Sequence, residues 1–314
     1  MHLKLTVLMS PIISALCLAG GLIACSSSGS SQAPPTNEGY LLPYDLDNPA
    51  ETVELPKELD EISGLGMGLS ETRILAINDE DGVIFYLNRS TGKVDQEIAF
   101  WKDGDYEGIE MVGNDAYVVK STGTIYHVKD VGTEAQVVDK HNSFLTDENN
   151  VEALGYDPSA HCLLLGCKGK PGDGDELESS KAIYSFDLNT FQLSEKPKYV
   201  IRLQEVHEYL DTHPAVQKLE KLWEFFDPDQ SELGFSPSGI AVHPITGEFY
   251  ILSSVGKLLM VYHPDRGIVH IQKLSKKIHA QPEGICFDQQ GTLYISNEGK
   301  SDDAVLLRFD YQPK

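Results

Sequence analysis

The feature that most constrains the fold of this chain is a four-residue phrase that recurs at a nearly constant interval. The phrase occupies residues 62–65, 106–109, 151–154, 237–240 and 282–285. The small residues at its centre are separated by 44, 45, 86 and 45 residues, and they are Gly64, Gly108, Ala153, Gly239 and Gly284. A period of about 45 residues is the length of one four-stranded propeller blade. We therefore predict a repeat protein in which each phrase marks the same position of a blade.

Each repeat continues with short segments that have the pattern of antiparallel strands. A second apolar strand is predicted at 73–77, 116–120, 162–167, 249–253 and 293–296. Aromatic residues alternate in a third strand at 83–87, 124–128 and 182–187. Short β-branched and aromatic strands at this spacing favour an all-β propeller over a sandwich. An isolated strand at 51–55 is expected to complete the last blade and so close the ring.

The interval of 86 residues between Ala153 and Gly239 allows two interpretations. It is close to two periods, so a six-bladed propeller is the alternative. However, the strands at 182–187 and 199–203 are needed to finish the third blade. Within 204–235 the apolar residues have helical spacing. The sequence thus favours a five-bladed β-propeller with a helical insertion at 204–235, between blades three and four.

The N-terminal residues are typical of an exported lipoprotein. Lys4 precedes a largely apolar run that ends at Ala24, which is the pattern of a secretory signal. The tetrapeptide Leu-Ile-Ala-Cys at 22–25 resembles the lipobox of bacterial lipoproteins, in which the matching Cys25 carries fatty acyl chains such as palmitate. An uncleaved anchor and ordinary secretion are the alternatives. The predicted divisions are a signal peptide at 1–24, a flexible tether at 25–39 and the propeller domain at 40–314.

The lipobox and the charge of the chain together indicate where the protein resides and what it contacts. We expect a lipid-anchored, extracytoplasmic protein of a bacterial cell envelope, and Ser26 after the cysteine favours the outer membrane. The formal net charge of the whole chain is −23, and loss of Lys4 with the signal gives 24 − 48 = −24. Such an acidic protein is repelled by nucleic acid and by anionic lipid, so no nucleic-acid partner is expected. The same charge favours cation binding.

Four motifs in a fixed order carry a resemblance to a known family. They are Glu-Ile-Ser-Gly-Leu at 61–65, Ile-Asn-Asp-Glu at 77–80, Asp-Tyr-Glu-Gly-Ile at 105–109, and Pro-Glu-Gly-Ile at 282–285 with Leu-Tyr-Ile-Ser-Asn-Glu at 293–298. Together they resemble the SdiA-regulated family of bacterial propellers over residues 50–312. The resemblance implies a five-bladed propeller, often membrane-anchored or lipidated, that has a calcium site. It implies no particular biochemical activity.

The residue before the small residue of each phrase is the main candidate for a functional site. These five residues are Ser63, Glu107, Glu152, Ser238 and Glu283, and a propeller places them in one ring at an end of the central channel. At roughly 6 Å and an effective dielectric constant near 20, two carboxylates repel each other by about 3 kcal/mol. Either a cation neutralises the three acids, or their pKa values rise and some of them are protonated. An alternative is that the ring residues only cap the strands and hydrogen-bond neighbouring blades.

Calcium is the cofactor that this ring predicts, because Ca²⁺ accepts six to eight hard oxygen ligands in flexible geometry. We assign the metal to Glu107, Glu152, Glu283 and Asp79. Further oxygen ligands are expected from residues just outside the ring, namely Glu61, Asn78, Asp105 and Glu298.

Two functions are compatible with such a site, and the sequence does not decide between them. The favoured one is a binding protein that holds Ca²⁺ near its channel, together with an unidentified small molecule or protein partner. The alternative is a calcium-dependent hydrolase of lactones, esters or phosphoesters, which rests on analogy between folds. At the ends of the second strands, Lys120 and Lys168 are the only basic candidates for phosphate binding. A purely structural scaffold without metal is a third possibility.

Overall fold

The computed structural model describes residues 39–70, 72–227, 229–230, 232–299 and 303–313. These residues form five antiparallel sheets, four of them with four strands and one with five. The predicted all-β propeller is confirmed, with five blades and not six. Residues 1–38 include the predicted signal, Cys25 and nearly all of the predicted tether, and they lie outside the described part of the chain.

The strands follow the blades in chain order. Strand β1 (Glu51–Glu54) precedes the first blade. Blade one contains β2 (Ile62–Met67), β3 (Arg73–Asn78), β4 (Val83–Asn88) and β5 (Val94–Ala99). Blade two contains β6 (Tyr106–Val112), β7 (Asp115–Lys120), β8 (Ile125–Lys129) and β9 (Val137–His141). Blade three contains β10 (Val151–Asp157), β11 (Cys162–Cys167), β12 (Ser180–Asp187), β13 (Gln192–Leu193) and β14 (Tyr199–Arg202).

Two helices follow the third blade, and the last two blades come after them. The helices are α1 (Leu203–Thr212) and α2 (Leu219–Phe225). Blade four contains β15 (Pro237–Val242), β16 (Phe249–Ser253), β17 (Leu258–His263) and β18 (Gly267–Lys273). Blade five contains β19 (Pro282–Phe287), β20 (Leu293–Asn297) and β21 (Val305–Phe309).

The ring closes because the first strand of the propeller completes its last blade. The sheet order of blade five is β1-β21-β20-β19, and β1 runs antiparallel to β21 with Glu51 opposite Arg308. The strand expected at 51–55 therefore supplies the missing outer strand, as predicted. This arrangement covers the edge of β21, which would otherwise expose unpaired backbone groups.

The small residue of each phrase allows the inner strands to pack closely around the axis. A Cβ atom on Gly108 would lie 2.5 Å from the Cβ of Leu154 on the next inner strand. A Cβ on Gly239 would lie 2.4 Å from the carbonyl oxygen of Glu283. Real Cβ atoms do not approach other atoms so closely, so the repeat of small residues follows from the geometry of the channel.

The outer edge of blade three departs from the regular pattern. Its fourth strand is divided into β13 and β14, which both pair with β12. Helix α1 begins directly after β14 and α2 follows at Leu219. Val206, Leu210 and Leu222 are buried in one cluster with Ile271 of β18. The two helices span 203–212 and 219–225, and the remaining described residues of 204–235 are not helical. None of the described helices is long and apolar enough to cross a membrane.

Candidate functional site

The ring residues are placed by the same backbone irregularity in all five blades. Each inner strand has a register shift against its neighbour at the phrase, so that one extra residue is inserted there. In blade one, for example, Ile62 pairs with Asn78 and Gly64 pairs with Ile77, which leaves Ser63 as the extra residue. Such a bulge changes the direction of a side chain relative to a regular strand. The sequence repeat therefore encodes five bulges, and each carries one ring side chain.

The ring residues line a small cavity at the channel. Its volume is about 10 Å³, which is room for one water molecule or one ion. The ring residues that line it are Ser63, Glu107, Glu152, Ser238 and Glu283. The aliphatic side chains that line it lie two residues further along each inner strand, and they are Leu65, Ile109, Leu154, Ile240 and Ile285. The carboxylates are thus held beside apolar groups that cannot solvate their charge.

The two serines of the ring have a structural role. The Ser63 hydroxyl donates a 2.7 Å hydrogen bond to the carbonyl oxygen of Tyr106, the residue before Glu107 in the next blade. The Ser238 hydroxyl donates a 3.0 Å hydrogen bond to the carbonyl oxygen of Pro282. These contacts join neighbouring blades, which is the role that the alternative interpretation of the ring assigns to its members.

One of the three ring glutamates is already compensated by a lysine. Glu152 accepts an ion-pair contact from the Lys168 ammonium at 2.6 Å and a 2.7 Å hydrogen bond from the side-chain amide of Asn150. Burial disfavours the charge of Lys168, but Glu152, together with Glu283 and Glu107, outweighs that effect and raises the pKa of the lysine. Sequence reasoning missed this role. The signal was present, because Lys168 directly follows β11 as Asp79 directly follows β3.

The other two glutamates are not compensated in this way. Glu283 accepts a 2.8 Å hydrogen bond from the side-chain amide of Gln281, and burial, followed by repulsion from Glu152, raises its pKa to about 7. In the described part of the chain, Glu107 forms no hydrogen bond or ion pair through its side chain. Burial, followed by repulsion from Glu152 and Asp105, raises the pKa of Glu107 to about 9. At neutral pH, Glu107 therefore retains its proton unless a cation replaces it.

Asp79 extends the acidic group towards blade one. One of its carboxylate oxygens, Oδ1, is buried and has no hydrogen-bond partner. Burial, followed by repulsion from Glu61, raises the pKa of Asp79 to about 6, and Glu298 contributes to the repulsion. A buried oxygen without a partner is costly and needs an explanation, such as a water molecule or an ion.

The further predicted oxygen ligands are brought to the same end of the channel, although the side chain of one of them is engaged in other hydrogen bonds. The backbone N–H of Asp79 donates to the carbonyl of Glu61, and that of Glu298 donates to the carbonyl of Gln281. Asp105 is held in the same way by the backbone N–H of Ser121. We refer to Glu61, Asp79, Asp105, Glu107, Glu152, Glu283 and Glu298 as the acidic mouth.

The engaged side chain is that of Asn78, which is used by a turn. Its amide group donates to the carbonyl of Glu58 at 3.0 Å and to the Asp81 carboxylate at 2.8 Å. Its amide oxygen accepts a 2.8 Å hydrogen bond from the backbone N–H of Asp81. These three bonds fix the loop after β3, so Asn78 has a structural role there.

The acidic mouth fits a hard cation in its chemistry, although the side chains are not arranged as a finished site. Among the described residues, no three metal-ligating side chains are close enough together to hold an ion as they stand. The cavity that Glu107 and Glu283 line is nevertheless of single-ion size, and Asp79, which is not among the lining residues, has a buried oxygen without a partner. Glu152 is the least suitable of the four predicted ligands, because Lys168 and Asn150 already occupy its two oxygens.

The fold and the site define a class of protein, and a comparison of sequences indicates a family within that class. The chain is a closed five-bladed β-propeller whose inner strands present an acidic mouth at one end of the channel. The sequence model of the SdiA-regulated family matches residues 191–300, which confirms the predicted resemblance to that family. The match covers the end of blade three, both helices, blade four and two of the four strands of blade five, β19 and β20. No curated protein matches the sequence.

Two solved structures of other proteins are similar to this chain at low sequence identity. The glutaminyl cyclase of Myxococcus xanthus is 11% identical, with a TM-score of 0.52, and the match covers 84% of this chain and 96% of that one. The PQQ-bound aldose sugar dehydrogenase of Streptomyces coelicolor is also 11% identical, with a TM-score of 0.48 and coverage of 84% and 97%. At this identity the likeness to the cyclase shows the fold alone.

Proposed function

We propose that this protein is a lipid-anchored binding protein of the bacterial cell envelope, and that its acidic mouth binds Ca²⁺. The observation that supports the ion most directly is the Glu107 carboxyl group. It has no side-chain partner among the described residues, and it lines a cavity of single-ion size together with two other glutamates. A propeller gains no stability from three buried acids at one point of its channel, since each pair repels.

The ligands that we assign to the ion are Glu107, Glu283 and Asp79. They come from blades two, five and one, and each has a pKa above its usual value because of burial and mutual repulsion. A divalent cation would favour the ionised carboxylates and so counteract these shifts, and water molecules would complete its coordination. Lys168 then has a separate task, which is to neutralise Glu152 and so limit the charge that the ion must balance.

The bound ion would supply a positive charge that links three blades and can contact an anionic group of a ligand or protein partner. Binding is a better conclusion than catalysis, because the hydrolase alternative rests on enzymes that share only the fold. The ion would stabilise the folded protein by an amount that depends on its concentration and affinity, since the unfolded chain has no such site.

A comparison of thermal unfolding tests the calcium site. The full chain is unfolded in EDTA and after addition of Ca²⁺ or Mg²⁺, and a rise in Tm that is selective for Ca²⁺ is expected. Glu107→Gln should abolish this rise. Glu97→Gln is the matched control, because it removes an exposed carboxylate of β5 far from the ring positions and should leave the rise intact. Equal responses of the two variants would contradict the assignment.

The lipid anchor is proposed from the sequence, because Cys25 lies outside the described residues. We expect the wild-type protein to incorporate radioactive palmitate and to sediment with the outer membrane. Cys25→Ser should lose the label and appear in a soluble envelope fraction, since acyl chains provide the membrane affinity. Continued membrane attachment of Cys25→Ser without label would show that an uncleaved signal is the anchor.

A further inference from the structure

A second cavity of this acidic protein is basic. It lies beside blade four and has a volume of about 370 Å³. Five of its lining residues are lysines, namely Lys218, Lys221, Lys257, Lys273 and Lys276. The chain has 25 lysines and arginines against 48 acids, so a group of five lysines at one cavity opposes the overall charge. We refer to these five residues as the lysine pocket.

The lysines come from three separate parts of the fold. Lys218 and Lys221 lie at the start of α2, and Lys257 lies in the turn between β16 and β17. Lys273 ends β18, and Lys276 follows in the connection to β19. Lys273 and Lys276 lie in one short stretch of sequence, and folding brings Lys218, Lys221 and Lys257 to it.

Few acids compensate the pocket. Lys218 contacts the Asp47 carboxylate at 3.5 Å, and both side chains are partly exposed to solvent. For Lys221, Lys273 and Lys276, the described residues provide no ion pair. Burial, followed by repulsion from Lys221 and Lys257, lowers the pKa of Lys273. The folded protein thus holds like charges close together, and the ammonium groups of Lys218, Lys257 and Lys273 donate to the backbone carbonyls of Lys273, Ser254 and Gly256 respectively.

Backbone conformation and side-chain contacts fix several of these lysines in place. Lys218 and Lys257 adopt left-handed backbone conformations, with φ of 58° and 51°. Gly and Asn take this conformation at lower cost, so a lysine at both positions is unusual. The Lys273 ammonium donates to the carbonyl of Gly256 and lies 5.3 Å from the centre of the Phe225 ring.

We propose that the lysine pocket binds a phosphate-bearing anion. Several ammonium groups around one cavity suit a compact group with multiple negative charges, and lysine commonly binds phosphate as a point charge. The cavity volume is that of a small-molecule site. An anion there would relieve the repulsion among the lysines.

The side chain of Gln281 connects the lysine pocket to the acidic mouth through hydrogen bonds. The Lys257 ammonium donates a 3.3 Å hydrogen bond to the side-chain oxygen of Gln281, and the amide nitrogen of Gln281 donates a 2.8 Å hydrogen bond to Glu283. A ligand with a phosphate in the pocket would therefore lie beside the acidic mouth. The anion site does not depend on calcium, because its donors are all lysines.

Calorimetric titration of the full chain in EDTA tests the proposal without calcium. Two probes separate the possible sources of the phosphate group. Inorganic pyrophosphate represents a soluble anion, and a short-chain phosphatidylglycerol below its micelle concentration represents a lipid headgroup. Binding of either probe is expected, and it should weaken as the salt concentration rises, because exposed charges are screened.

The matched variants use exposed lysines that have no structural contact in the described chain. Lys221→Gln combined with Lys276→Gln should weaken binding by about tenfold or more, as expected for the loss of charge-assisted hydrogen bonds. Lys277→Gln is the control, because Lys277 is exposed and adjacent in sequence but does not line the cavity. Thermal unfolding without ligand checks that each variant folds.

Three results would overturn the proposal. They are failure of both probes to bind the wild-type chain, unchanged binding by the Lys221/Lys276 variant, and an equal loss in Lys277→Gln. Because the titration is carried out in EDTA, none of these results bears on the calcium site.

Discussion

Replacing Glu107 by glutamine should stabilise the protein when no metal is present. Burial and neighbouring acids raise the pKa of Glu107 from the usual 4.5 to about 9. Between these values the folded state keeps a proton that the unfolded state has lost, so stability falls as pH rises through this window. From pH 4.5 to pH 7, roughly 2.5 pH units at about 1.36 kcal/mol each, the need to keep Glu107 protonated lowers the free energy of unfolding by about 3 kcal/mol. Glutamine has nearly the same shape and no proton to lose.

The assay is urea unfolding of wild type and Glu107→Gln in EDTA, from about pH 5 to pH 8. The variant should be close to wild type near pH 5, and its advantage should grow by about 1.4 kcal/mol for each pH unit above that. In saturating Ca²⁺ the order should reverse, because the variant cannot be stabilised by the ion. Parallel pH profiles of the two proteins in EDTA would refute the reasoning, since Glu107 would then be ionised at no cost.

Three further substitutions test separate parts of the site. Lys168→Met leaves Glu152 without its ion-pair partner, so it should destabilise the metal-free protein by about 2 kcal/mol in urea unfolding. It should also enlarge the stabilisation by Ca²⁺, and a smaller calcium effect would show that the lysine assists the ion. Ser63→Ala removes a buried hydrogen bond between blades and should lower the free energy of unfolding by about 1 kcal/mol, while the rise in Tm with Ca²⁺ stays unchanged. Loss of that rise would show that the hydroxyl is a calcium ligand. Gly108→Ala places a methyl group against Leu154 and should lower the free energy of unfolding by about 1–3 kcal/mol. An unchanged free energy of unfolding would contradict the close packing of the inner strands.

The sequence predicts much of this fold because the repeated residues are the ones that the packing of a propeller blade requires. The phrase around Gly64 and its four counterparts predicts the inner strands, since only small residues allow their close approach around the channel. The strand at 51–55 could be assigned to the last blade because blade five otherwise lacks an outer strand. These features depend on local pattern and on the need to close a ring.

The remaining features depend on contacts between segments that are distant in sequence. The ion pair of Lys168 with Glu152 depends on two strands of blade three lying side by side, so the position of Lys168 after β11 marks it as a candidate but does not reveal its partner. The sequence predicts Asn78 as a metal ligand, but its side-chain amide forms hydrogen bonds within a turn. The same atoms are therefore not available to bind a metal. The lysine pocket is assembled from three segments between Lys218 and Lys276, so the distribution of charge along the sequence does not identify it.

We propose that the acidic mouth exchanges protons for calcium. Calorimetric titration of Ca²⁺ into the full chain at neutral pH, in two buffers of different ionisation enthalpy, measures affinity and proton release together. We predict binding in the range of extracellular calcium modules, with a Kd of about 10⁻⁴–10⁻³ M or tighter. We also predict release of about one proton from Glu107, with both signals lost in Glu107→Gln. Calcium binding without proton release, or undiminished binding by Glu107→Gln, would contradict it.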